Sequence, residues 1–142
     1  MGAIPRFVKK DIIDKWIADG GLYLMLLTSA HVINEATQQY RTHVLANEIT
    51  DSGGVYAPGG VPLAGLVQSW DPLDNTHAFL DANDVSIGPG ATITYRYGVI
   101  YRNTGNAGTS PILAHVDFLA NQTVTNGTSV IQWNSLGIVY IQ

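Results

Sequence analysis

The chain has no cysteine among its 142 residues, which excludes disulfide staples and thiolate metal sites and leaves the redox compartment unread. Charge is scarce as well. Asp, Glu, Lys and Arg make up 13% of the residues, against about a quarter in ordinary globular domains, so part of the surface is expected to be covered by partners. Positive charge is the scarcer sign: seven Lys plus Arg stand against eleven Asp plus Glu, for a net charge of −4. No basic cluster exceeds Lys9-Lys10. A phosphate-tracking groove needs concentrated positive charge, so no nucleic-acid partner is expected. Long apolar runs are missing too. The longest, LYLMLL at residues 22–27, is far short of the roughly 20 residues of a membrane span and follows a charged segment rather than a signal-peptide n-region. The expectation is a soluble chain with no secretory leader and no membrane partner.

Reaction signatures are also missing. There is no nucleophile elbow, phosphate loop, zincin helix or dinucleotide fingerprint, and GPGATI at residues 88–93 lacks the third glycine of a pyrophosphate cradle. His31, His43, His77 and His115 are scattered, without a second ligand at a helical metal-binding offset. Asp71, Asp74, Asp81 and Asp84 form a denser cluster that could hold calcium, yet the alternation of an EF-hand loop and its closing Glu are lacking; the same residues suit Asx turns. The sequons at Asn121 and Asn126 read as turn residues. The expectation is therefore a protein that is not an enzyme, with no catalytic, cofactor or metal site.

What is present is one helix followed by strands. In PRFVKKDIIDKWIADG, residues 5–20, Val8, Ile12 and Trp16 recur every fourth residue, joined by Ile13 and Ile17. This predicts an amphipathic helix with Pro5 in its first turn and Gly20 at its stop. Asp11 and Lys15 are spaced for an i,i+4 ion pair worth about 0.2–0.5 kcal/mol. LYLMLL reads as a buried strand. Residues 29–60 then lose periodicity, and a segment of this length in a compact chain is expected to be functional or an interface arm, with disorder the competing reading. Phe7 and Trp16 on the helix, with Tyr40, Arg41 and Tyr56 in the irregular segment, are the residues expected at an interface.

After residue 60 the pattern is β throughout, with strands expected at 61–70, 78–80, 85–87, 91–103, 112–119, 130–133 and 138–141. IGPGAT and VTNGTS read as tight hairpins, the second through a type I′ turn at Asn126-Gly127. Many short strands after one helix predict a mainly β fold, a β-sandwich or jelly-roll-like domain with one N-terminal α-helix, spanning residues 1–142 as a single domain. In TITYRYGVIYRN, Tyr95, Tyr97, Val99 and Tyr101 occupy alternate positions and are expected on the core face, with Arg96 and Arg102 opposite; an exposed tyrosine platform for sugars is the competing reading. Trp133, on the same strand face as Ile131, is expected in the core.

The succession VYAPGGVPLAG, LDANDV, YGVIYRNTG, SPILAHVDF and IQWNSLGI, running through residues 55–142, resembles a family of small tailed-phage virion proteins. The helix and the LYLMLL strand fit the usual opening of that family. The resemblance implies a non-enzymatic structural component of the phage particle, made in the bacterial cytoplasm. It implies above all a head decoration or cement protein that clamps major capsid protein subunits, often as a homotrimer. A tail or tail-fibre component, with a carbohydrate-binding β-module, is the alternative; a hydrolase with an unseen site is a third reading.

Overall fold

A computed structural model describes residues 2–70 and 76–141. The order is helix α1 (Arg6–Asp19), then strands β1 (Leu22–Leu27), β2 (Val61–Pro62), β3 (Val67–Trp70), β4 (Ala78–Asp81), β5 (Val85–Arg102), β6 (Ile112–Ile131) and β7 (Val139–Ile141). The fold is mainly β with one N-terminal helix, as expected, and its strands form two antiparallel sheets. By its contacts the chain divides into two compact units: Met1–Gly20 with Leu63–Asp84 and Ile131–Gln142, and Gly21–Pro62 with Val85–Val130.

In the first unit α1 packs on β3 and β4 of a three-stranded sheet ordered β3-β4-β7. Ile13 is the fully buried residue of the helix stripe; Ile12, Trp16 and Ile17 are half-buried and Val8 is exposed. Gly20 closes the helix at φ 67, its N–H reaching the carbonyls of Trp16 and Ile17. The expected Asp11–Lys15 pair is replaced by Lys10–Asp14 and Lys15–Asp19, the order less favourable to the helix dipole, so packing on the sheet carries the helix. Trp133 lies beyond the end of β6 and is only half-buried, contrary to the core position expected of it. Its indole N–H donates to the Asn83 carbonyl at 3.1 Å, and its backbone N–H faces Asp84 Oδ1 at 3.3 Å. The hydrogen bond of its indole edge holds the ring at the margin.

The second unit is a four-stranded sheet ordered β2-β1-β5-β6. β1 lies inside it, pairing β5 from Leu22↔Arg102 to Leu27↔Tyr97 and β2 at Tyr23↔Pro62 and Leu24↔Val61. A strand flanked on both edges and covered on both faces needs an unbroken apolar run, which LYLMLL supplies. Met25, Leu27, Val44, Val99 and Tyr101 form its core, with Tyr23, Tyr97 and Ile112 packed against them. Tyr95, Val99 and Tyr101 are buried as expected and Tyr97 is half-buried, so the tyrosine row is core rather than platform. A buried ring of this size removes about 150–250 Å² from water. The Tyr101 hydroxyl, which burial would otherwise orphan, donates to the Gly59 carbonyl at 2.6 Å.

Two predicted hairpins are absent, because β5 and β6 run straight through them. A type I′ turn needs positive φ at both central residues. Asn126 has φ 49, but Gly127 is not among the positive-φ glycines. The glycines serve close approach instead. A Cβ on Gly88 would stand 2.6 Å from the Gly127 carbonyl oxygen and from Thr128 Oγ1, so the two glycine-containing stretches face each other across the paired strands. The strands are also out of step. Arg96 pairs with Asp117 and Thr94 with Thr123, so two residues of β5 are matched by six of β6. Leu119, at φ 67 and 81% exposed, lies in the longer β6 span between these contacts.

Candidate functional site

The irregular segment 29–60 separates into two parts. From Gln39 onward it is built into the sheet: the Gln39 carbonyl accepts the Ile112 N–H at 2.9 Å and Tyr40 pairs with Pro111, Val44, Ile49 and Tyr56 are buried, and the chain runs beside β1 through Thr28 N–H to Asn47 O (2.9 Å) and Ile49 N–H to Leu26 O (3.1 Å). Within this part the Tyr56 hydroxyl accepts the Leu26 N–H at 3.0 Å and donates to Glu48 Oε1 at 3.1 Å. Glu48 Oε1 also accepts the Gly59 N–H at 2.5 Å, and its Oε2 lies 3.9 Å from the Arg41 guanidinium, which sits over the Tyr101 ring. Burial and the neighbouring Glu48 charge push the Tyr56 hydroxyl pKa well above its usual value, so it acts as a neutral hydrogen-bonding group. Of the residues expected at an interface, Tyr56 is thus buried and Arg41 largely enclosed. Tyr40 and Phe7 are exposed, Phe7 at 75%, and Trp16 is half-buried.

Asp51 is equally committed. Its Oδ1 accepts the N–H groups of Gly53 and Thr92, and its Oδ2 those of Val55 and Tyr56, all within 2.7–2.8 Å. These bonds, with Thr92 foremost, hold its pKa down to about 2. Beside it opens a cleft of about 360 Å³. Thr28, Thr50, Ser52, Thr92, Thr94, Thr123 and Thr125 line it with hydroxyls, and Ile49, Ile93 and Val124 supply its apolar surface. No charged side chain lines it.

The aspartate cluster and its Asx turns lie partly outside the described residues, which exclude Asp71 and Asp74. Asp81 bonds the Ala82 N–H and Asp84 the Trp133 N–H. Among the described residues no group of three metal-ligating side chains converges.

No family model, curated protein or solved structure matches this chain.

Sequence reasoning missed one meeting of side chains. His31 and His115, expected as isolated histidines, stack with ring centroids 6.0 Å apart and planes 13° apart. They are 84 positions apart in the chain, and no local spacing could have paired them. The edge of His31 meets Tyr97 at 5.7 Å.

Proposed function

We propose that this chain is a non-enzymatic structural protein of a tailed-phage particle, a decoration or cement protein that binds the assembled head. The observation that carries this reading is the run of virion-like segments through residues 55–142. The side-chain chemistry is in keeping with it: Glu48 and Asp51 are spent on internal hydrogen bonds that tie the 41–60 segment to the sheet. Phe7, Val32 and Leu119, each about three-quarters exposed or more on a charge-poor chain, are available to partners of low charge. The partner in this reading is the major capsid protein, and the protein self-associates, as a trimer, at its sites on the shell. Binding to assembled but not to dissociated coat subunits stabilises the shell by linkage. Purified protein should therefore co-sediment with assembled shells in preference to free coat subunits, and particles lacking it should burst at lower temperature. Equal robustness with and without the protein, or its presence only at the tail tip, would overturn the cement assignment.

The threonine-lined cleft favours a second reading, a tail component that binds neutral carbohydrate. Hydroxyl walls over apolar side chains suit a sugar, although no aromatic ring lines the cleft. Calorimetric titration with neutral oligosaccharides tests it, with Thr123→Val as the variant that should abolish any heat of binding.

A further inference from the structure

Residues 29–38 differ from the rest of the irregular segment. His31 is their one buried side chain, 2% exposed, while Val32 is 74% exposed. The stretch is pegged to the sheet through this histidine, ahead of the backbone pairing of Gln39 and Tyr40 with Ile112 and Pro111, and the histidine's socket is unusual. Neither ring nitrogen of His31 has a hydrogen-bond partner, and neither does Nδ1 of His115. Buried polar atoms in folded proteins are nearly always paired, so three orphans in one contact require an account. A neutral imidazole tolerates such a socket at the cost of an unmade bond. An imidazolium has two N–H donors and a full charge to place there, beside a second ring that titrates in the same range.

We propose that residues 29–38 form an arm latched by the stacked His31–His115 pair and released when that pair is protonated. The latch does not depend on the virion assignment. Burial, then the neighbouring His115, lowers the pKa of His31; burial lowers that of His115, against a smaller opposing pull from Glu35 and a backbone hydrogen bond with Gln38. Every group that faces the pair bears on the balance. From β5 comes Tyr97, with the Arg96 guanidinium 5.2 Å from its ring centre and paired to Asp117 of β6. From the arm come Glu35 and Gln38. At the foot of the arm His43 Nδ1 accepts the N–H groups of Gln39 and Tyr40, each at 3.2 Å. Glu35 favours a charged His115, but His31 has no acceptor of its own. Opening the arm gives both rings to water. The sign follows: groups whose pKa is depressed in the closed state hold the arm shut above their open-state value, about 6.5, and release it progressively as pH falls below that.

Hydrogen exchange on the full chain tests the latch. The probes are the His31, Thr37 and Gln38 amides, which bond to the carbonyls of Thr28, Asn34 and Asn34 and do not involve His43. Corrected for intrinsic exchange, their protection should fall about tenfold between about pH 7.5 and 5, while β1 amides stay protected. His31→Phe keeps an aromatic peg without a proton and should flatten this response. If that variant leaves the arm unprotected at every pH, His115→Phe decides, because it removes the second charge and should blunt the response. Unchanged wild-type protection across the range overturns the latch. Loss of β1 protection in step with the arm overturns it as well, by showing unfolding of the whole unit, and so does a full acid response in the deciding variant.

Discussion

The Tyr56 hydroxyl stands between Leu26 and Glu48, accepting a backbone N–H from one at 3.0 Å and donating to the carboxylate of the other at 3.1 Å. One side chain thus supplies β1 with a hydrogen bond that no strand provides at that position, and it fixes an acid carried by the segment running alongside. Tyr56→Phe should leave the Leu26 N–H and one lone pair of Glu48 unsatisfied at nearly constant volume. The expected cost is about 1–3 kcal/mol, read from urea unfolding; a change within about 0.5 kcal/mol would mean that water takes the place of the hydroxyl.

Gly60 has φ 91, and a Cβ there would stand 2.1 Å from the Leu24 carbonyl oxygen and 2.8 Å from Met25 Cα. Both obstacles are backbone of the central strand and cannot swing aside. Gly60→Ala should cost more than about 3 kcal/mol, combining strain with displacement of β1. Gly54, at φ 73 with nothing within 4 Å, is the control; its alanine variant should cost only about 1–2 kcal/mol. Equal effects at the two sites would contradict the close approach.

Asp51, with its pKa drawn down to about 2 by four backbone N–H groups, makes the fold acid-sensitive. A carboxyl with a depressed folded-state pKa contributes fully above its unfolded value, about 3.9, and that contribution is lost as pH falls toward 2. The urea midpoint should therefore drop steeply between about pH 4 and 2. Asp51→Asn, whose amide presents donors to N–H groups that need an acceptor, should be less stable at neutral pH and show a shallower acid slope. An Asn variant as acid-sensitive as wild type would assign the slope to another carboxylate.

Trp133, held at the margin of the first unit by its indole hydrogen bond to Asn83, should be a lesser loss than a core ring. Trp133→Ala is expected to cost about 1–2 kcal/mol rather than the 3–5 kcal/mol of a fully buried tryptophan. Trp133→Phe should retain most of the packing and lose the hydrogen bond, about 0.5–1.5 kcal/mol. A loss above about 4 kcal/mol for the alanine variant would restore the core placement.

Elements governed by near neighbours in sequence were legible in the chain. The helix at Arg6–Asp19, its glycine stop, and β1 at Leu22–Leu27 agree with the expected spans within a residue, because periodicity and caps express forces acting over a few residues. Alternation put Tyr95, Val99 and Tyr101 on one face, and they are buried, but Gly98 and Ile100 on the other face are buried too, which the alternation did not show. Which strand lies beside which was not legible. IGPGAT and VTNGTS have the residues of turns, yet Gly88 and Gly127 are used to let β5 and β6 approach, a requirement visible only once the two are opposed. The longer β6 span around Leu119, the inward turn of Tyr56 and Arg41 toward Glu48, and the meeting of His31 with His115 have the same origin. Each depends on a pairing register between distant segments, and register is set by the closure of the whole sheet rather than by any short stretch of residues.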